Sequence, residues 1–185
     1  MSKTLSKGSI TLITIGIVIL ILIGGTLTTY NGLVSKDEAA STAWSNLQAQ
    51  YQRRADLVPN LVNTVKGYAK HESETFENVV AARAKATQLS VDADNLTPER
   101  ARQILQAQGD LSTALGKLMA ISESYPELKA SENFSELQAQ LEGTENRIAE
   151  SRRLYNESVQ TFNTAVRHFP ANIVAGIFGF EKKSK

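Results

Sequence analysis

Between Gly8 and Ser35 the chain carries no charged residue, and from Ile10 to Leu27 it is dominated by Ile, Leu and Val. About 18–20 such residues, at ~1.5 Å of helical rise each, match a hydrocarbon core of ~30 Å. This stretch therefore predicts a transmembrane helix over residues 10–29, preceded by a short tail at 1–9. Thr11 and Thr14 are compatible with it, because their hydroxyls can return to the helix backbone. Tyr30 stands at the far edge, where an interfacial aromatic belongs. A cleavable signal peptide is the competing reading, with Lys3 and Lys7 as its basic start. No A-x-A site follows Gly24-Gly25-Thr26, however, and there is no lipobox cysteine, which favours a retained anchor. Two lysines before the span against Lys36 alone after it place the N-terminus in the cytoplasm and the remainder outside.

The remaining ~150 residues are the size of one domain and can bury one core without staples. Zero cysteines exclude disulfides and thiolate metal sites. With 20 basic and 19 acidic residues, a formal charge of +1 and few aromatics, nothing draws the chain toward nucleic acid.

Helical periodicity organises this domain. Apolar or small residues recur every three or four positions from Ala40 and Trp44 through Leu47, Tyr51, Ala55, Val58, Val62, Val65, Ala69, Phe76 and Val79. Ser35 with Glu38 forms a capping box that predicts a helix start after the anchor. The stripe fades near Leu89 into a polar loop, Ser90 to Asn95. Thr97-Pro98 then reads as an N-cap with a first-turn proline. A second stripe runs Ala101, Ile104, Leu111, Leu115, Leu118, Ile121 and stops at Tyr125-Pro126. A third starts near Ser131 to Asn133 and runs from Phe134 to Phe169, before Pro170. One rod over 36–89 would be about 80 Å long, far longer than its neighbours. A break is therefore favoured, either at Lys66-Gly67-Tyr68, with glycine just past the helix end, or at Pro59. The expectation is an all-α, antiparallel up-and-down bundle of four helices over 30–170, the alternative being three with a long kinked first helix. An apolar then basic tail occupies 171–185.

The sequence offers no active site. His71-Glu72 lacks the second histidine of a zinc-protease motif, Thr75 standing in its place, and nucleophile-elbow, P-loop and dinucleotide glycine patterns are absent. No catalytic, cofactor-binding or metal-ligating residue is expected, and no enzymatic activity. The informative residues are charges in phase with apolar stripes. Glu72 and Arg83 fall in line with Phe76 and Val79; Glu145 and Arg152 fall in line with Ile148 and Tyr155. They should pair across helices or reach out at the seam's edge. The segment around Arg53, Arg54, Asp56 and Pro59 reads as a proline kink whose freed carbonyl is satisfied by a side chain, or as a contact for an anionic headgroup or partner. After Pro170, an apolar decamer with Ile173, Phe178 and Phe180, closed by Lys182 and Lys183, suits a membrane-interface or partner-docking segment, or one that docks back on the bundle. In a four-helix arrangement it would return beside the anchor, with both lysines toward lipid phosphates.

Several separated blocks carry a family resemblance: Tyr30-Asn31-Gly32-Leu33-Val34, Ala43-Trp44, Arg53 through Val62, Gly67-Tyr68-Ala69 with His71-Glu72, Tyr125 through Ala130, Glu145 through Ile148, Arg152 through Asn156, and Phe169-Pro170 with Asn172 through Ala175. In this order they resemble the LemA family, from about Tyr30 to Phe180. The resemblance implies a bacterial inner-membrane protein with one anchor and a four-helix soluble domain, without catalytic residues or cofactor. Distant relatives associated with building magnetosome membranes imply a membrane-organising role. The expected function is a non-enzymatic scaffold that binds membrane lipid and self-associates or binds a protein partner. The alternative is an accessory subunit recruiting or regulating a membrane enzyme such as a protease.

Overall fold

A computed structural model describes residues 7–184 and is all-helical over them. Six α-helices follow one another: α1 (Lys7–Tyr68), α2 (Ser73–Gln88), α3 (Pro98–Ile121), α4 (Pro126–Lys129), α5 (Glu132–Ala165) and α6 (Ala171–Phe178). Two short 3-10 turns, Ala93–Asn95 and Ser122–Ser124, punctuate the connections. Four helices were expected; α4 and α6 are the additions.

The main correction concerns α1. Its 62 residues run without interruption from the apolar segment into the bundle, about 93 Å of helix. Ser35 and Glu38 therefore do not start a helix. A capping box stabilises N–H groups that lack partners, and here the preceding turn already supplies carbonyls to them. Within the apolar segment, Thr14, Thr26, Thr28 and Thr29 each return their hydroxyl to the carbonyl four residues earlier, at 2.8–2.9 Å. This is the one helix among the described residues long and apolar enough to cross a membrane, and none of its apolar window is buried in the protein.

The helix passes through Pro59 and ends after Tyr68, so the break falls at Lys66-Gly67-Tyr68 and not at Pro59. It ends without a left-handed glycine, since only Gly179 has positive φ among the described residues. The reversal into α2 is closed instead by Ala69 N–H on the Val65 carbonyl (2.9 Å) and Glu72 N–H on the Ala69 carbonyl (3.4 Å). Thr97 caps α3 by accepting from Arg100 N–H (3.2 Å), and Ser131 caps α5 by accepting from Phe134 N–H (3.4 Å).

Side-chain pairings set the directions. Along α1 and α5 they run Thr64 to Asn133, Arg54 to Glu145, Tyr51 to Arg152 and Trp44 to Tyr155, so one number falls as the other rises. Lys85 to Asp110 and Glu72 to Tyr125 show the same for α2 and α3. The bundle is up-and-down and antiparallel, with α1 and α5 as its most extensive helix pair.

The apolar interior divides into three clusters along the bundle axis. The distal one gathers Val58, Leu61, Val65, Phe76, Leu111, Leu118, Leu128 and Phe134. The middle one is built on Trp44, Leu47, Tyr51, Ile104, Ile148, Tyr155 and Val159. The third, beside the apolar segment, joins Leu33, Phe162 and Val166 to Val174 and Ala175 of α6.

Candidate functional site

Between the distal and middle clusters lies a polar layer. Arg54 is 2% exposed. Its Nη1 donates to Glu145 Oε1 at 2.8 Å, and its Nη2 donates to the Gln108 carbonyl at 2.9 Å and to Gln108 Oε1 at 2.5 Å. The guanidinium carbon stands 5.7 Å from the centre of the Tyr51 ring. A charge that deep requires such partners, because unpaired it would cost several kcal/mol. Glu145 is 36% exposed, so the pair is buried at one end and wet at the other. Gln108 was not foreseen, although the α3 stripe jumps from Ile104 to Leu111 and Gln108 occupies the turn between them.

One turn further along α1 is the repair at Pro59. A proline has no N–H, so the carbonyl four residues earlier loses its helical donor. That carbonyl belongs to Ala55, and Arg83 Nε of α2 donates to it at 2.8 Å. Arg53 and Asp56 do not join this constellation. Both are exposed, and Asp56 accepts from Gln52 on its own helix at 2.7 Å. The remaining stripe charges stay at the seams: Arg152 donates to the Tyr51 hydroxyl (3.2 Å), and Glu72 accepts from the Tyr125 hydroxyl (3.4 Å). On either side of the polar layer, clefts open between α3 and α5. One, of about 430 Å³, is lined by Leu115, Met119, Leu141 and Glu145; the other, of about 410 Å³, is lined by Trp44, Leu105, Arg152 and Tyr155. Among the described residues no cluster of His, Asp and Glu is arranged to hold a metal ion.

The end of the bundle next to the apolar segment is built by the tail. Gly179, at φ 75°, turns the chain after α6 so that Phe180 N–H donates back to the Ala175 carbonyl at 2.9 Å, the closure of a Schellman cap. Phe178 and Phe180 converge on Tyr30 with ring centroids at 4.8 and 5.7 Å, and Phe180 also lies 6.3 Å from Phe162. The lysines do not behave alike. Lys182 is exposed, but Lys183 pairs with Asp37 at 2.7 Å and sits over the Phe162 ring. Its backbone is clasped by Asn163, whose Oδ1 accepts from Lys183 N–H and whose Nδ2 donates to the Lys183 carbonyl, both at 2.8 Å. The Tyr155 hydroxyl then donates to the Ser184 carbonyl at 2.8 Å, and burial pushes its pKa up to about 12. Thus α6 stays at the anchor while the basic end climbs back along the bundle, so Lys183 does not point toward lipid. Asn163 and Asp37 were not legible beforehand, since neither falls on an apolar stripe.

Fold and site together define a class: an antiparallel helical bundle carried as one continuous rod on an apolar helix of membrane-spanning length, with its C-terminal helix folded against the rod's base. The LemA family profile matches residues 43–185, and the chain belongs to that family. Among curated proteins it is similar to magnetosome protein MamQ of Magnetospirillum gryphiswaldense, 28% identical over 170 residues covering 83% of this chain and 62% of the relative. It is similar also to protein LemA of Metamycoplasma hominis, 26% identical over 164 residues covering 89% of this chain and 69% of the relative. The chain thus spans somewhat under two thirds of the length of the MamQ relatives it matches.

Proposed function

We propose that this protein is a non-enzymatic scaffold anchored in the bacterial inner membrane, with its N-terminus in the cytoplasm and its bundle outside, organising the envelope by self-association or partner binding. The observation that carries the reading is the unbroken α1. The apolar segment and the longest bundle helix are one element with no flexible linker between them, so the bundle is rigidly coupled to its membrane-spanning segment. Such rigidity serves a protein that spaces or aligns other components. The seam charges are consumed in holding helices together and assemble no nucleophile–base pair. Relatives named as magnetosome proteins accord with a membrane-organising role.

The test is crosslinking of the full-length protein in native membranes, followed by mass spectrometry. The expected result is crosslinks between copies or to several envelope proteins, in assemblies larger than a monomer. A stoichiometric complex with one membrane enzyme would replace the scaffold with the accessory-subunit reading. A monomer without neighbours would refute both. Reporter fusions after Lys185 that are active only in the cytoplasm would reverse the proposed orientation.

A further inference from the structure

The helix α6 is apolar on every side. Of its residues Ala171–Phe178 only Asn172 is polar, and there is too little protein around it to cover such a surface. Val174 and Ala175 are buried against α1 and α5, in the cluster with Leu33, Phe162 and Val166. The opposite face is bare: Ile177 is 72% exposed, Ile173 is 52% exposed, and Phe169, just before the helix, is 80% exposed; Phe178, four residues after Val174, packs its ring on Tyr30. Contiguous large apolar side chains of this kind mark a surface that something apolar covers.

The position of the patch identifies what covers it. Leu27 closes the continuous apolar run from Ile10; Tyr30 and Leu33, which α6 packs against, follow at about 4.5 and 9 Å along the same helix. The headgroup layer on each side of a ~30 Å hydrocarbon core is roughly 5–7 Å deep. With Leu27 at the edge of the hydrocarbon, a helix packed on Tyr30 would fall at the depth of that layer, just above the exposed Ile23 and Leu27. Basic residues flank it in the chain: Arg167 and His168 are exposed before it and Lys182 after it, with Glu181 the one exposed acid among them. Apolar side chains flanked by mainly basic residues are complementary to an anionic lipid surface.

We infer that α6 is a second membrane contact: an interfacial helix seated in the headgroup layer on one side of the anchor, with Ile173 and Ile177 inserted toward the acyl chains. The helix pins the rod from one flank and sets the tilt of the whole bundle. It also occupies area in one leaflet only, as a wedge does. The inference rests on α1 crossing the bilayer, and the experiment separates the two.

Because the chain has no cysteine, single cysteines can be introduced into the full-length protein for spin labels. Leu20→Cys, Ile177→Cys and the exposed Gln103→Cys on α3 are each labelled in vesicles of phosphatidylethanolamine and phosphatidylglycerol. Collision with oxygen, which partitions into lipid, is compared with collision with a water-soluble nickel chelate. The label at Ile177 should show an oxygen-to-nickel ratio several-fold above that at Gln103 and below that at Leu20, with the thermal midpoint of the variant unchanged. A ratio at Ile177 equal to that at Gln103, with Leu20 in lipid, overturns the inference alone. A label at Ile177 that meets neither reagent means that a protein partner or second copy covers the patch, and also overturns it. A water-like ratio at Leu20 would defeat the anchor reading itself.

Discussion

Truncating Glu145 should destabilise the bundle more than removing the buried arginine it pairs with. Glu145→Ala leaves the Arg54 guanidinium 2% exposed, with only Gln108 to accept from it. Breaking a fully buried pair costs about 3–5 kcal/mol. Because Glu145 is 36% exposed, part of that interaction is already screened by water, and the expected loss falls to about 2–3 kcal/mol. Arg54→Met keeps much of the stem's volume and removes the charge. It strands mainly Gln108 Oε1, while Glu145 can turn to solvent, for an expected loss of about 1–2 kcal/mol. The double replacement should cost less than the sum by about 1–2 kcal/mol. For a protein of this size 1 kcal/mol corresponds to about 2–4 °C, so Glu145→Ala should lower the midpoint by about 4–12 °C. The assay is denaturant unfolding of the full-length protein in detergent, followed by the fluorescence of Trp44, the single tryptophan, which sits in the middle cluster. Asp56→Ala, on the exposed side of the same turn, is the control and should be silent. A loss below about 0.5 kcal/mol for Glu145→Ala, with no coupling to Arg54→Met, would refute the argument that the ion pair offsets the burial of Arg54.

Three further outcomes follow from neighbouring geometry. Arg83→Met should cost about 1–3 kcal/mol in the same assay, because it removes the donor to the Ala55 carbonyl, and adding Pro59→Ala should recover part of it by restoring a helical N–H. Gly179→Ala should cost about 1–2 kcal/mol by backbone strain at φ 75° alone, since no atom lies where the new Cβ would stand; Gly176→Ala, also open but without positive φ, should not. With Tyr155 raised from its ordinary value near 10 to about 12, the unfolded chain ionises first as pH rises and binds fewer protons than the folded one. Stability should therefore fall between pH 10 and 12, and Tyr155→Phe should remove that component of alkaline thermal melts.

How much of this could be read from the sequence depended on whether a feature was local or periodic. The apolar segment, the caps at Thr97 and Ser131 and the stripes all express themselves within a few residues, and the helices formed there. Ser35 and Glu38 misled because a cap motif matters only where the preceding helix is absent, and nothing local reveals that α1 arrives already wound. Gly67 marked the right place for a different reason from the one proposed: the helix stops because the chain must reverse into α2, without a left-handed residue. The partners of individual charges were less legible. Arg83 and Glu145 stood in phase with buried positions and Arg54 stood beside the proline kink, but only the packing of three helices brings Gln108 to Arg54 and Ala55 to Arg83. The clasp of Asn163 on Lys183 was invisible, because a half-buried polar residue off the apolar stripe, meeting an aperiodic tail, leaves no pattern at all.

The polar layer and the foot of the bundle are linked through the register of α1 on α5. Leu, Val and Ile repeat along both helices closely enough that a slip of one turn, about 5.4 Å, would still bring apolar side chains together. Arg54 tolerates no such slip: displaced by a turn along α5, its Nη1 would face Leu141 or Ile148 in place of the Glu145 carboxylate. A buried ion pair is poor at adding stability but good at making one register the only acceptable one. Since α6 hangs from the end of α5, one turn of slip would move it by about the full depth of the headgroup layer. The layer at Arg54 therefore acts at a distance on the height of α6. The double replacement Arg54→Met with Glu145→Met isolates this effect, because it removes the registering charges and leaves apolar packing in place. Spin labels at Asn46→Cys on α1 and Ser135→Cys on α5 measure the offset directly. A second population displaced by about one turn is expected in the double replacement and absent from the otherwise native chain. A single unshifted distance in both would show that apolar packing alone sets the register.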